Sequence, residues 1–206
     1  PNTPTGVAHT SKDIANLLEC FSGILVVDEA YADFADETMI GLVKQYRNLV
    51  ITRSLSKSFS LAGLRVGFAF AAPEIINLLD RVRDSYNVNR LSQAGAIAAL
   101  KDEAYYKETI ANVIKTREFC AQELKNRAWF FYPSQANFIF TEPVNGENKT
   151  GPEVAHSLYE FLYMRKILVR LLSSSPLTAV FIRISIGDEK QMEILFETID
   201  SWQKSA

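Results

Sequence analysis

Side chains that could bind and react with a phosphorylated aldehyde lie within one short stretch of the sequence. Ser54, Ser56 and Lys57 fall within four consecutive positions, and Arg65 follows eight residues after the lysine. A deprotonated lysine amine can form a Schiff base with an aldehyde, and hydroxyls beside a guanidinium can hold a phosphate dianion. The stretch is therefore suited to a cofactor that carries both an aldehyde and a phosphate.

An apolar run farther upstream ends in a carboxylate and a phenol. Val26 and Val27 are followed directly by Asp28, and Tyr31 comes three residues later. A carboxylate can pair with a protonated pyridine nitrogen and turn the ring into an electron sink, while a phenol can donate a hydrogen bond to a ring oxygen. Together with the lysine stretch, these residues predict pyridoxal 5'-phosphate as the cofactor.

Each of these residues also has a purely structural interpretation. Lys57 by itself would be a solvated loop lysine, Asp28 a helix cap or a surface charge, and Tyr31 a packed aromatic. The serines before Lys57 and the arginine after it favour the catalytic interpretation, in which Lys57, Asp28 and Tyr31 belong to one site.

The elements that must position these residues are predicted by apolar runs at 23–27, 48–52 and 65–71. The runs are continuous, which is typical of strands covered by helices on both faces. A short helix is predicted at 11–20, with Thr10 or Ser11 as its cap. This order favours an α/β fold with a three-layer, mostly parallel sheet. Ligands bind beyond the carboxyl ends of such strands, where Asp28 and Ser54 fall.

The second half of the chain has the pattern of a smaller α+β domain. A long amphipathic helix is predicted from about residue 103, with an apolar stripe that includes Cys120 and Leu124. We expect residues 1–102 to form part of a cofactor-binding large domain and residues 103–206 to form the small domain. Further strands are predicted at 129–132, 137–141, 167–171 and 180–186, and further helices at 73–83, 91–100, 152–164 and 189–202.

Bulk composition narrows the classes of function. The chain has 206 residues, 48% of them hydrophobic, and its formal net charge of −2 gives no basic surface for nucleic acid. No apolar run is long enough to span a bilayer. Two cysteines and two histidines are too few for a disulfide framework or a metal site. These properties predict a soluble cytoplasmic protein without a metal.

Five segments resemble, in the same order, the fold-type I pyridoxal-phosphate aminotransferases: residues 1–6, of the form Pro-Asn-x-Pro-Thr-Gly, and residues 28–31, 54–65, 134–140 and 181–187. Within that family the sequence is most similar to the histidinol-phosphate aminotransferases. The resemblance extends over essentially the whole chain. Members of the family are considerably longer, so the chain resembles the C-terminal part of such an enzyme.

The resemblance implies a role for each cofactor-side residue. Lys57 would form the Schiff base with the cofactor and then move the proton between the substrate carbon and the cofactor. Asp28 would pair with the pyridine nitrogen, and Tyr31, with Asn2 as a second polar partner, would contact the ring oxygen. The phosphate would be held by Ser54, Ser56 and Arg65.

Two arginines in apolar strands are candidates for substrate binding. Arg183 alternates with Ile182 and Ile184, and a charge in such a strand is costly to bury without a counter-ion. The resemblance implies that Arg183, with Arg170 as its partner, binds the anionic end of the substrate. An internal salt bridge is the alternative for Arg170. Asn137 lies in a segment close to the site in the resembled enzymes, where it would contact substrate or fix the loop.

The resemblance implies ping-pong transamination in histidine biosynthesis. Glutamate would give its amino group to the cofactor and leave as 2-oxoglutarate, and imidazole acetol phosphate would accept the group to become histidinol phosphate. The alternatives are a phosphothreonine decarboxylase, an aromatic aminotransferase, and a non-catalytic cofactor-binding fragment or the ligand-sensing part of a regulator. The resemblance also implies a homodimer, and a chain without the first half of the enzyme is expected to be weakly soluble or to depend on the missing segment.

Overall fold

The structure is a computed structural model that describes residues 1–205, which form two compact units. The first unit consists of Pro1 and residues 8–110, and the second consists of residues 2–7 and the chain from Ala111 onward. One long helix contributes residues to both units. The expected domain boundary near residue 103 stays a prediction.

A three-stranded sheet forms the centre of the first unit. Strand β1 (Leu25–Asp28) pairs in parallel with β2 (Leu49–Ser54), and β2 pairs antiparallel with β3 (Gly67–Ala71). Valine, isoleucine and phenylalanine are frequent in these strands because their side chains pack well on a pleated surface. Asp28 and Ser54 are the last residues of β1 and β2, which confirms their predicted place at the strand ends.

The coverage of this sheet differs from strand to strand. The side chains of Leu49, Val50 and Ile51 in β2 are buried, so the prediction of a strand covered on both faces is confirmed there. The same prediction is wrong for β1 and β3, because Val26 is 59% exposed and Phe70 is 40% exposed. In β1, Leu25 and Val27 pack into a cluster on one face, whereas Val26 points away from that cluster.

Helix α1 (Ser11–Cys20) supplies part of the cluster on that face. Its N-terminus is a reciprocal capping box, in which the Thr10 hydroxyl accepts from the Asp13 N–H at 3.2 Å and Asp13 Oδ2 accepts from the Thr10 N–H at 3.0 Å. Leu18 of α1 packs with Leu49 of β2. The predicted helix and its Thr10 cap are confirmed.

The first unit contains further helices, including the first part of the long helix α4. They are α2 (Pro73–Val82), α3 (Arg90–Lys101) and the long helix α4 (Glu103–Asn126), with three 3₁₀ helices at Ala32–Phe34, Met39–Lys44 and Ala62–Leu64. Ala96 of α3 packs against Leu55 and Val66, which lie at the two ends of the lysine loop. Cys120 and Leu124 are buried, which confirms the predicted apolar stripe in the second half of α4.

The second unit is the predicted α+β arrangement. Its four strands are β4 (Phe130–Phe131), β5 (Phe138–Glu142), β6 (Arg170–Leu171) and β7 (Ile182–Ser185), all antiparallel in the order β4-β5-β7-β6. Helices α5 (Pro152–Met164) and α6 (Glu189–Ser205) pack on this sheet. Each fully buried leucine or isoleucine of the core contributes about 1.5–3 kcal/mol. Core side chains at most 1% exposed include Ile139, Leu158, Leu162, Ile182, Leu195 and Ile199.

None of the helices among residues 1–205 combines the length and the apolar character needed to cross a membrane. These residues also contain no group of three or more His, Cys, Asp or Glu side chains placed to hold a metal ion. Both cysteines are free thiols, with Cys20 exposed and Cys120 buried.

Candidate active site

The carboxylate of Asp28 is held at the carboxyl end of β1. Its Oδ1 accepts hydrogen bonds from the backbone N–H of Ala30 at 3.0 Å and from the hydroxyl of Thr52 at 3.3 Å. Thr52 is the register partner of Asp28 in the parallel pair, so both strands orient the carboxylate. Asp28 is exposed, which leaves the group accessible to a cationic partner.

Lys57 and Tyr31 lie against each other. Nζ of Lys57 is 5.4 Å from the centroid of the Tyr31 ring, which is a cation–π geometry. Tyr31 follows β1 and Lys57 follows β2, and because these strands are parallel, both segments leave the sheet at the same edge. The structure therefore brings the predicted residues Asp28, Tyr31 and Lys57 to one edge of the sheet.

The predicted phosphate-binding residues lie in the loop between β2 and β3. Ser54 Oγ accepts from the Ser56 N–H at 3.0 Å, which fixes the first turn of the loop. Leu55 is fully buried, and its N–H donates to the carbonyl of Val66 at 3.2 Å, so the two ends of the loop are joined. Because Arg65 directly precedes Val66, this pairing brings Arg65 back toward the serines.

Arg65 has an unusual backbone conformation. With φ of 56° and ψ of 42°, it lies in the left-handed region at the end of the 3₁₀ helix Ala62–Leu64. A non-glycine residue there costs about 1–2 kcal/mol, and such strain is common at ligand sites. Its Nη1 donates to the carbonyl of Ala62 at 3.0 Å while the residue stays exposed. Because of this turn, the strand predicted to start at residue 65 starts instead at Gly67.

A group of hydrogen-bonded polar side chains lies beside this edge of the sheet, and sequence reasoning missed it. Glu29 and Ser58 are buried, Asp33 and Arg53 are partly buried, and Thr38 is exposed. Glu29 is 4% exposed and accepts from Arg53 Nε at 2.9 Å and from the Thr38 hydroxyl at 2.7 Å. Arg53 also pairs with Asp33, and the Ser58 hydroxyl donates to the same carboxylate. Buried charges are stable only when they are paired and hydrogen-bonded. We refer to Glu29, Asp33, Thr38, Arg53 and Ser58 as the buried ion network.

Tyr106 of α4 borders the buried ion network. Burial, and after it the negative charge of Asp33, raise the pKa of Tyr106 to about 12. The Tyr106 ring stacks on Phe59, with centroids 4.3 Å apart and ring planes 15° from parallel. The phenol is therefore neutral at neutral pH, and its ring helps to hold the segment that follows Lys57.

The two predicted substrate arginines are neighbours in the second unit. Arg170 of β6 and Arg183 of β7 are register partners, so their side chains lie on the same face of the sheet. Arg183 Cζ is 5.0 Å from the centroid of the Phe138 ring, and Arg183 Nε is buried without a hydrogen-bond partner among residues 1–205. Neither guanidinium forms a salt bridge with a residue in the range 1–205. The alternative that Arg170 forms an internal salt bridge is therefore not supported within this range.

The two predicted asparagines lie in loops of the second unit. The carbonyl of Asn137 accepts from the Ile186 N–H at 2.9 Å, which joins the start of β5 to the end of β7. Asn2 is exposed in a turn closed by the Gly6 N–H, which donates to the Asn2 carbonyl at 2.7 Å. The Gly6 carbonyl accepts from the Gln135 N–H at 2.8 Å, so this turn is attached to the loop before β5. The roles of Asn2 and Asn137 stay predictions.

The sequence is similar to known enzymes over nearly its whole length. Residues 1–199 match the family described as aminotransferase class I and II. A histidinol-phosphate aminotransferase from Geotalea uraniireducens (strain Rf4) is 44% identical over 199 residues, which cover 97% of this chain and 55% of that protein. One from Geobacter sulfurreducens is 45% identical over 193 residues, which cover 94% of this chain and 53% of that protein. The chain thus spans about half the length of these curated relatives.

Solved structures share the fold. A crystal structure of histidinol-phosphate aminotransferase from Sinorhizobium meliloti, in complex with pyridoxal-5'-phosphate, matches 100% of this chain and 56% of its own chain with a TM-score of 0.87 at 24% identity. L-threonine-O-3-phosphate decarboxylase from Porphyromonas gingivalis matches with a TM-score of 0.76 at 21% identity, over 99% of this chain and 62% of its own. Identities this low establish the α/β fold and not the substrate. By the match of residues 1–199, the chain belongs to the aminotransferase class I and II family.

Proposed function

We propose that the protein is a pyridoxal-phosphate-dependent transaminase acting between glutamate and histidinol phosphate, with 2-oxoglutarate and imidazole acetol phosphate as the matching keto compounds. The observation that carries the proposal is the position of Lys57 Nζ over the Tyr31 ring, at the sheet edge where β1 ends in Asp28. The curated relatives at 44% and 45% identity, both named histidinol-phosphate aminotransferase, support the choice of substrate.

The side chains at this edge of the sheet carry the types of chemical group that would bind pyridoxal phosphate. They offer an amine, a carboxylate and a phenol, and the loop after β2 adds hydroxyls and a guanidinium. When bound, the cofactor supplies an aldehyde carbon and a ring that withdraws electrons from the substrate carbon. Lys57 would hold the aldehyde through Nζ, Asp28 would face the ring nitrogen, and Tyr31 and Asn2 would contact the ring oxygen.

Lys57 would also be the general acid and base of the reaction. Once its amine is free, Nζ would accept a proton from the substrate carbon and donate it to the cofactor carbon that had carried the aldehyde, which is the proton transfer that transamination requires. The Tyr31 ring beneath Nζ limits where the amine can move. The order of the parallel strands keeps this amine and the Asp28 carboxylate at the same edge.

The cofactor phosphate would be bound in the loop between β2 and β3. Arg65 uses Nη1 for the Ala62 carbonyl, so Nε and Nη2 would donate to the phosphate in charge-assisted hydrogen bonds. The hydroxyls of Ser54 and Ser56 would donate as well. The strained backbone of Arg65 is explained if the guanidinium must return to the start of the loop.

Arg183 and Arg170 would bind the anionic end of the substrate. Like charges directly opposite each other destabilise a sheet, and an anion between them relieves the repulsion. A carboxylate or a phosphate oxygen would also give the buried Nε of Arg183 an acceptor. One arginine pair could thus serve glutamate in one half-reaction and histidinol phosphate in the other, with Asn137 contacting substrate or fixing the loop.

Three further parts of the proposal are supported by the resemblance. The protein would form a homodimer and would lie in the cytoplasm. Residues 1–102 would form part of a large cofactor-binding domain, and residues 103–206 would form a small domain. Sedimentation of the cofactor-loaded protein tests the homodimer, because a monomeric mass at micromolar concentration would contradict it.

The proposed activity is tested by amino-group transfer. The protein loaded with pyridoxal phosphate is mixed with glutamate and imidazole acetol phosphate, and we expect 2-oxoglutarate and histidinol phosphate to form in equal amounts. Histidinol phosphate, phosphothreonine and phenylalanine are then compared as amino donors, and histidinol phosphate should react fastest. Release of carbon dioxide from phosphothreonine would favour the decarboxylase, and a preference for phenylalanine would favour an aromatic aminotransferase.

A further inference from the structure

The carboxylate of Asp33 joins the segments that carry the proposed reactive groups. Asp33 lies two residues after Tyr31, in the 3₁₀ helix Ala32–Phe34. Arg53 Nη1 donates to its Oδ1, and the Ser58 hydroxyl donates to its Oδ2. Ser58 directly follows Lys57 in the chain. The Asp33 carboxylate therefore accepts hydrogen bonds from Arg53, near the end of β2, and from Ser58, directly after Lys57. Asp33 itself lies in the segment that follows Tyr31.

The hydroxyl of Ser58 lies beside two oxygen partners, the Asp33 carboxylate, to which it donates, and the Tyr106 phenol. Ser58 is 2% exposed, and a buried hydroxyl without a hydrogen bond is costly. The bond to Asp33 meets this need and fixes the Ser58 side chain. The loop is closed on its other side by the Ser60 N–H, which donates to the Lys57 carbonyl at 3.1 Å. The backbone of Lys57 is thus held from both directions.

The residue after Ser58 adds a second attachment. Phe59 stacks on Tyr106 at 4.3 Å and packs in the cluster that contains Leu55 and Val66. The Lys57 segment is therefore fixed to α4 by an aromatic contact and to the turn after β1 by the hydrogen bond to Asp33. Of these two attachments, the hydrogen bond is the one that reaches the segment of Tyr31.

We propose that Asp33 is a positioning residue, whose hydrogen bond with Ser58 holds the amine of Lys57 over the Tyr31 ring. This inference rests on the proposed function, in which Lys57 is the reactive amine. Arg53, which pairs with both Glu29 and Asp33, holds the Asp33 carboxylate in an orientation toward Ser58. Without this bond, the Lys57 segment turns toward solvent and its amine leaves the ring.

The test measures how fast Lys57 is modified in the protein without added cofactor. The variants Ser58→Ala and Asp33→Ala remove the hydrogen bond between Ser58 and Asp33, the first by deleting its donor and the second by deleting its acceptor. The control Thr38→Val removes a hydroxyl from the same buried ion network that contacts Glu29 and Arg53 but not the Lys57 segment. Each protein is treated with an amine-reactive reagent, and labelling of Lys57 is measured by peptide mass spectrometry, with the exposed Lys44 as internal reference.

We expect Ser58→Ala and Asp33→Ala to raise the labelling of Lys57 relative to Lys44 by about tenfold, the scale of a lost hydrogen bond to a charged group. Thr38→Val should leave this ratio within about twofold of the unsubstituted protein, although it also weakens a buried network. Equal ratios in all four proteins, or the same increase in Thr38→Val, would overturn the proposal. If Ser58→Ala does not fold, Asp33→Ala answers the same question.

Cofactor binding gives a second, separate readout. Pyridoxal phosphate should bind Ser58→Ala about tenfold more weakly than it binds Thr38→Val, because the amine is no longer in position. If the cofactor fails to bind the unsubstituted protein, the proposed function is contradicted while the labelling result still decides the role of Asp33. If labelling follows the prediction but the two variants bind the cofactor equally well, the positioning role is overturned.

Discussion

Unused hydrogen-bond donors are the most informative feature of single residues in this protein. Arg183 has a buried Nε with no acceptor among residues 1–205, and Arg65 commits one nitrogen to a backbone carbonyl while the rest of its side chain stays exposed. A buried N–H without an acceptor costs about 1–3 kcal/mol, so a ligand that supplies the acceptor recovers that free energy on binding. Both arginines therefore fit the proposed binding of anions.

Arg183→Ala tests the substrate role at this scale. We expect kcat/KM for histidinol phosphate to fall by about 10- to 100-fold, because the variant loses charge-assisted hydrogen bonds to the substrate anion. The control is Arg165→Ala, which removes an exposed arginine of the same unit whose guanidinium stacks on Phe161. Steady-state kinetics of the two variants should differ, and equal losses would contradict the assignment.

The two thiols should differ sharply in reactivity. Cys120 is 1% exposed, and burial raises the pKa of its thiol to about 12, so almost no thiolate is present at neutral pH. Cys20 is exposed. A thiol reagent added to the folded protein should label Cys20 rapidly, and Cys20→Ser should abolish the fast phase. Labelling of Cys120 at a comparable rate in the folded protein would contradict the burial of this side chain in α4.

At the scale of elements, the parallel pair β1–β2 places the site and could be predicted from the sequence. The continuous apolar runs at 23–27 and 48–52 predicted both strands, with Asp28 and Ser54 at their carboxyl ends. The buried ion network could not be predicted, because Arg53 pairs with Glu29 and Asp33 across 24 and 20 residues. Only the register of the strands makes those residues neighbours. The turn at Arg65 was missed for a related reason, since its left-handed backbone follows from tertiary pairing of the loop ends.

Gly67 is required by the close approach of β2 and β3. A Cβ at this position would lie 2.8 Å from the carbonyl oxygen of Arg53, in the backbone of the neighbouring strand. Gly67→Ala should therefore lower the free energy of unfolding by about 1–3 kcal/mol, measured by denaturant titration. Gly41→Ala is the matched control, because a Cβ there meets nothing within 4 Å. Equal stability of the two variants would contradict the pairing of β2 with β3.

At the scale of the whole molecule, the two units have separate cores and different chemical roles. The first unit carries the proposed cofactor residues on a mixed sheet, and the second carries the proposed substrate arginines on an antiparallel sheet. The formal net charge of −2 is small, so the proposed anion binding depends on local arginines rather than on bulk charge. Composition predicted only the broad class of protein, whereas the ordered motifs predicted the fold.

Stability at high pH reports on the interior of the first unit. The pKa of Tyr106 is raised to about 12, above the ordinary value of about 10 that applies to the unfolded chain. The unfolded state therefore loses its proton first, so the contribution of Tyr106 is complete below about pH 10 and is lost as the pH rises to about 12. Solvent screening at this half-buried site limits the effect to about 1 kcal/mol.

Tyr106→Phe should therefore remove part of the loss of stability between about pH 10 and pH 12. The measurement is the free energy of unfolding of both proteins across that range, and the difference between them isolates Tyr106 from the other groups that titrate there. An unchanged pH dependence in Tyr106→Phe would contradict the burial of this phenol beside Asp33.

The most direct test of the account is covalent capture at Lys57. The protein is incubated with pyridoxal phosphate, reduced with borohydride, digested, and analysed by peptide mass spectrometry. The account predicts a reduced adduct on Lys57 that disappears in Lys57→Ala and persists in Lys44→Ala, which removes an exposed lysine of the same unit. An adduct distributed over surface lysines, with no preference for Lys57, would contradict it.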